Sequence, residues 1–475
     1  MERMEWERLL SVQRERGSSG RRRSTDLRSE FEKDYHRIIG SASFRRLQDK
    51  TQVFPLDKSD FIRTRLTHSL EVASFGKSLG QNIGENILTY RRDPGFTPKM
   101  REDTSHILEC AGLIHDIGNP PFGHFGELAI REWFRRNLPK LTFRGQLVEK
   151  MLTEQMKQDF YHFEGNAQAL RLVTRLHYLV DEYGMNLTYG LLNTIIKYPV
   201  PSTEISPHSS NIRDRKMGYY YADREIFEKI TGATGTGNRR HPLTFILEAA
   251  DDLAYKTADI EDAFVKGFIT YYTLEKELEE LERDHAEIYD DTTFRPLEKL
   301  RRLRARGLEK SVDSPESYAV KNWIVSAQGF LISCATYGFT SNYDAIMEGE
   351  YEHDLFYGTF GAPLMDLLGD MAHRHVFSTS AIYKMELTES AILNFLMDRL
   401  VRAVLNYDTQ ENQDSIDSRI VSLISDNYKN AYRLHSEGKS EAEKLYLRLL
   451  LVTDYVCGMT DSYAKRLYQE MNGII

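Results

Sequence analysis

An all-α fold is predicted by three features of the chain. Apolar residues recur at three- and four-residue spacing through most of its 475 residues, the period of a helix with one buried face. Strand-like alternation is scarce. Only 13 prolines and 30 glycines interrupt the pattern, and they gather in a few loop-like stretches. Hydrophobic residues at 41% and charged residues at 28% mark a globular chain, long enough to bury a large core.

Composition also excludes several classes. The net charge of −9 argues against a dedicated nucleic-acid coat, though not against a local basic patch. Cys110, Cys334 and Cys457 are far apart and odd in number, and no CxxC occurs. Neither a disulfide framework nor a thiolate zinc site is expected, and a reducing compartment fits. The opening "MERMEWERLLSVQRERG" lacks an apolar run of leader length. The apolar stretch "LYLRLLLV" is short and broken by Arg448, so no membrane span is expected. The expectation is a soluble cytoplasmic protein.

Along the chain, "RERGSSGRRRS" (14–24) reads as a basic Gly/Ser-rich loop. "FIRTRLTHSLEVASFGKSLGQNIGENIL" (61–88) reads as a helix. His68, Val72, Phe75, Leu79 and Ile83 share its apolar face, with Arg65 one turn before the histidine. "SHILECAGLIHDIG" (105–118) puts Leu108, Ala111 and His115 on one face. It ends at His115-Asp116, because Gly118 and Pro120-Pro121 cannot continue a helix. "LLNTIIK" is an apolar helical run closed by Lys197, stopped after Tyr198 by Pro199. "PVPSTEISPHSSNIRDR" (199–215) is a loop, and "TGATGTGN" (231–238) is a connector without the lysine and strand of a phosphate-cradling turn. "FILEAADDLAYKTADIEDAF" (245–264) is a helix whose edge carries Asp251, Tyr255 and Asp259 at four-residue steps. "YDDTTFRP" (289–296) separates two charged helical runs.

Each polar residue has an ordinary explanation. An inward histidine is commonly a hydrogen-bonded core residue, a His at a helix end suits the dipole, and an acidic edge is commonly solvated. Together, His68, His115, Asp116 and Asp251 suggest a site of two imidazoles and two carboxylates. Such a nitrogen and oxygen set suits Mg²⁺, Mn²⁺, Fe²⁺ or Zn²⁺, and leaves open positions for water and a phosphate oxygen.

The order of motifs resembles the HD-domain metal-dependent phosphohydrolases, and within them the deoxyguanosine triphosphate triphosphohydrolases. The resemblance rests on "RRLQDKTQVFPL" (45–56), "RTRLTHSLEV" (63–72), "AGLIHDIGNPPFGHFGE" (111–127), "FEGNAQALR" (163–171), "IIKYP" (195–199), "EAADDLAYKTADIEDA" (248–263) and "TDYVCGMTDSYA" (453–464). It implies an HD helical core over about 40–270, an N-terminal arm and first helix over 1–39, and a helical C-terminal region over 271–475. It further implies release of tripolyphosphate from a deoxynucleoside triphosphate, dGTP favoured. His68, His115, Asp116 and Asp251 look like the metal ligands, with Asp252 the runner-up for the last place. His124 and Glu127 look like the catalytic pair. Asn166, Lys197 and Tyr198 match triphosphate contacts, and Gln52, Tyr255 and Asp259 match deoxyribose contacts, with Arg65 counted among the substrate-binding residues. Asn119 stands where many relatives carry His. A homo-oligomer, by resemblance a hexamer, and single-stranded DNA as a regulator are further expectations. The arginines of 14–23 and of "LRRLRAR" (300–306) are where nucleic acid could bind. Two other readings compete: an HD hydrolase of an alarmone or cyclic dinucleotide, and a nucleic-acid-binding regulator without catalysis.

Overall fold

The computed structural model describes residues 3–17, 26–52, 63–177, 181–290, 292, 294–410 and 414–474. Part of the basic stretch 14–24, part of 45–56 and the start of 61–88 lie outside the described residues. The chain is all-α, as the spacing predicts. Among the described residues the one sheet is a two-stranded antiparallel ribbon pairing Thr142–Phe143 with Gln146–Leu147. No described helix is long and apolar enough to cross a membrane.

The helices that carry the argument are α1 (Arg65–Asn86), α2 (Pro98–Ile114), α3 (Gly123–Asn137), α4 (Gly165–Arg171), α5 (Tyr189–Thr194), α6 (Pro242–Val265), α7 (Pro296–Glu309), α8 (Pro315–Ser341), α9 (Ser380–Val404), α10 (Glu441–Cys457) and α11 (Asp461–Met471). Their starts follow local chemistry. Thr64 caps α1 in a reciprocal pair with Thr67, and Thr97 caps α2 ahead of Pro98 at its first position. His241 caps α6 through a ring nitrogen, again ahead of a proline.

Helices α1 and α2 pack along their length, and α6 crosses both. Gly112 makes the first contact possible: a Cβ there would stand 2.5 Å from the Ala73 backbone nitrogen. The predicted stripe of α6 is the buried one, with Ile246, Ala250, Leu253, Thr257 and Ile260 inside. From the C-terminal half, α9 packs on α3, α10 and α11. One continuous apolar core runs from Met4 to Leu467.

One boundary differs from expectation. The helix expected to run to Tyr198 ends at Thr194, and Lys197 lies in the turn beyond it. The β-branched run Thr194-Ile195-Ile196 disfavours continuation, and the Thr194 hydroxyl donates back to the Gly190 carbonyl at 2.8 Å. Of the α7 arginines, Arg301 pairs with Glu275 and Arg304 with Glu316.

Candidate metal centre and catalytic cavity

Three helices deliver one cluster. His68 sits in the first turn of α1, His115 caps the end of α2, and Asp251 lies midway along α6. His115 Nδ1 is 2.8 Å from the Gly112 carbonyl, which assigns its proton there and leaves the Nε2 lone pair free. That buried Nε2 has no hydrogen-bond partner and lies 3.3 Å from Asp251 Oδ1. His68 Nε2 is 3.2 Å from the same oxygen. The ligand atoms of His68, His115 and Asp251 lie within 4.8 Å of one another, the one such group among the described residues. An orphaned imidazole nitrogen facing a carboxylate, with no thiolate near, fits a divalent cation.

Asp116 stands at the edge of this group. Its Oδ2 lies 3.6 Å from His115 Nε2. The same oxygen pairs with the buried Arg65 guanidinium, while Asn119 Nδ2 donates to Oδ1 at 2.7 Å. Burial pushes the Asp116 carboxyl up, but Arg65 and the two histidines hold it well below the usual range. Asp252, the neighbour of Asp251, lines the same cavity outside the three-residue group, and burial lifts its carboxyl to about 7. Lys197 Nζ donates to Asp251 Oδ2 at 2.7 Å.

The expected catalytic pair sits on α3. His124 Nδ1 and Glu127 Oε2 are 3.3 Å apart, with the imidazole 83% exposed and the carboxylate buried. The hydrogen bond to Glu127 raises the His124 ring above its ordinary value. Burial pushes Glu127 up, yet His124, Lys216 and Arg131 bring it down to about 2. The other Glu127 oxygen accepts from the Gly165 backbone N–H at 2.8 Å, which ties α3 to α4. Gly118 makes a matching contact from the other side, since a Cβ there would strike the backbone of Ala169 and Gly165. Asn166 is thereby placed on the cavity wall.

The cavity has a volume of about 550 Å³. Every expected site residue except His115 lines it: Gln52, Arg65, His68, Asp116, His124, Glu127, Asn166, Lys197, Tyr198, Asp251, Tyr255 and Asp259. His115 lies beneath, against Asp251. Burial lifts Asp259 to about 7, and the Gln52 amide oxygen is buried without a partner. Sequence reasoning missed two contributors. Lys216 lines the cavity and donates to Glu164 at 3.2 Å, 5.9 Å from the Tyr198 ring. Phe377, Ile382, Met385 and Glu389 close the side formed by α9 and the turn before it. A lysine just past a Ser/Pro-rich loop has no periodicity to mark it. The α9 residues differ in no local way from an ordinary amphipathic helix.

This fold with this ligand set defines an HD-domain phosphohydrolase. The HD-domain family matches residues 65–197, and the phosphohydrolase-associated domain matches residues 383–470. The chain is 47% identical to the deoxyguanosinetriphosphate triphosphohydrolase-like protein of Listeria monocytogenes over 99% of its length and 100% of the relative's. It is 32% identical to the deoxyguanosinetriphosphate triphosphohydrolase of Yersinia enterocolitica, over 98% of this chain and 99% of that one. A triphosphohydrolase-like protein of Pseudomonas aeruginosa is 34% identical over 99% of each. The chain belongs to the deoxyguanosinetriphosphate triphosphohydrolase family.

Proposed function

We propose that this protein hydrolyses deoxynucleoside triphosphates, dGTP in preference, at the bond between the 5′ oxygen and the α-phosphorus, releasing deoxynucleoside and tripolyphosphate. The observation that carries the reading is the meeting, in one cavity, of the His68/His115/Asp251 group, the His124–Glu127 pair and two lysines. The printed names of the full-length relatives support the substrate class.

A Mg²⁺ or Mn²⁺ ion held by His68, His115 and Asp251, with Asp116 beside it, would supply Lewis-acid neutralisation of phosphate charge and a lowered pKa for water. The chain's own residues do the rest. Lys197 and Lys216 offer ammonium groups, and Asn166 an amide, to the phosphate oxygens. Glu127 holds the His124 ring through Nδ1, which leaves Nε2 as the atom where a proton is held or moved at the reacting oxygen. Gln52 and Asp259 offer an acceptor and a carboxyl to a 3′ hydroxyl, with Tyr255 beside them.

The test is incubation of the purified protein with each of the four dNTPs and with GTP, in Mn²⁺ or Mg²⁺, followed by anion-exchange separation. Tripolyphosphate from dGTP ahead of the other nucleotides supports the reading. Pyrophosphate as product, or GTP cleaved as fast as dGTP, contradicts it.

A further inference from the structure

The turn between the HD pair and His124 is held from the far end of the chain. Phe122 begins α3 in the left-handed region, φ 65° and ψ 19°, and no side chain caps the helix there. That conformation is uncommon for a residue with a Cβ and persists where its surroundings enforce it. Its backbone N–H donates to Asp461 Oδ1 at 2.9 Å across 339 residues. The second Asp461 oxygen accepts from the Thr51 N–H at 2.9 Å and from the Thr51 hydroxyl at 2.5 Å. Asp461 is buried, at 1% exposure.

Lys50 adds a second tie. Its buried Nζ donates to the Asn119 carbonyl and to the Cys457 carbonyl, each at 2.6 Å. Its own carbonyl accepts from the Arg65 N–H at 2.9 Å. Thr51 pairs across an isolated bridge with Thr64, the cap of the helix that carries His68. Gly123 closes down on Arg65: a Cβ there would stand 2.5 Å from Nη2.

An acid in the first turn of a helix is ordinarily explained by that helix's own dipole. Asp461 departs from that role, because Thr460 caps α11 and both Asp461 oxygens point to segments more than 300 residues away. We propose that Asp461 is a positioning residue for His124, acting through the Phe122 turn, so that the last helix sets the aim of the catalytic histidine. His68, His115 and Asp251 take no bond from it. The inference rests on the reading of His124 as a catalytic residue.

The test pairs hydrogen–deuterium exchange with kinetics on the full chain. Asp461→Ala is expected to speed exchange of the 119–126 segment, while the α6 segment carrying Asp251 keeps its protection. It should lower kcat at least tenfold with KM within twofold. Asp461→Asn, which leaves one acceptor oxygen for the three donors of Phe122 and Thr51, should show the same pattern in smaller measure, and it carries the test if the alanine variant does not fold. In a His124→Ala background, Asp461→Ala should cost nothing further. Three results overturn the proposal: unchanged exchange at 119–126, loosening spread over the whole chain, or losses that multiply in the His124→Ala background. If the parent protein cleaves no dNTP, the functional reading fails, and exchange alone judges the tie between Asp461 and the turn.

Discussion

At the scale of single residues, the chemistry we propose divides between a buried cation-binding group and an exposed proton carrier. His68, His115 and Asp251 share one oxygen at 3.2–3.3 Å, a spacing a bound ion would bridge. Asp251→Ala should abolish Mn²⁺ binding in a calorimetric titration as well as turnover. His124→Ala should leave Mn²⁺ binding intact and reduce kcat by roughly 10²–10⁴, the ordinary worth of a positioned proton carrier. The pH dependence has a definite sign. Glu127 raises His124 above its ordinary 6.5, so the limb of the rate profile set by His124 lies above pH 6.5. Glu127→Gln removes the leading cause and should move that limb to lower pH. A limb that stays in place in the glutamine variant argues that another group sets it. The placement of these residues in one site was legible because His115-Asp116 and the two prolines break a helix at a point no core requires. Lys216 and the hold of Asn119 on Asp116 were not, since both depend on contacts between segments with no shared period.

At the scale of elements, α6 carries Asp251 into the cluster, and its first residues anchor it. Its cap, His241, is fully buried, accepts from Leu243 N–H through Nδ1 at 3.1 Å and reaches the Leu9 carbonyl through Nε2 at 3.1 Å. Burial lowers its pKa to about 4. The unfolded chain therefore takes up that proton first. Stability attributable to the neutral ring is full above pH 6.5 and declines from there to about pH 4, by roughly 3 kcal/mol at about 1.4 kcal/mol per pH unit. The difference in stability between the parent protein and His241→Asn, read from thermal melts between pH 7 and 4, should carry that slope, since Asp252 and Asp259 titrate in the same range with the opposite sign. Helix contact is the second control. Gly112→Ala pushes α1 from α2 at the level that sets His68 against His115, and should cost about 1–3 kcal/mol by overpacking, read as a lower Tm with weaker Mn²⁺ affinity. The spans of α1, α2 and α6 were legible from their stripes, since propensity and burial agree there. The early end of α5 was not, because a local Thr–Ile–Ile run outweighed the apolar pattern.

At the scale of the whole molecule, the C-terminal region is part of the site and not an appendage. The two family matches, 65–197 and 383–470, leave Asp251 between them, yet all three stretches converge on one cavity. Buried ion pairs join them. Arg171 at the end of α4 binds both oxygens of Asp454 in α10, at 2.8 Å each, and Asp223 at 3.2 Å. Asp454→Ala strands that buried guanidinium beside Asp223 alone and should cost about 3–5 kcal/mol, seen as a shift in the denaturant midpoint. Such long-range closure was the least legible part of the sequence. "GMTDSYA" could be matched to a family, but nothing in its local pattern says that Asp461 reaches Phe122.

The central claim is that this cavity directs water to the α-phosphorus of a deoxynucleoside triphosphate. Hydrolysis of dGTP in H₂¹⁸O, with both products read by mass spectrometry, tests it most directly. The account predicts one ¹⁸O atom in tripolyphosphate and none in deoxyguanosine. Label in the nucleoside, or recovery of pyrophosphate in place of tripolyphosphate, would contradict it.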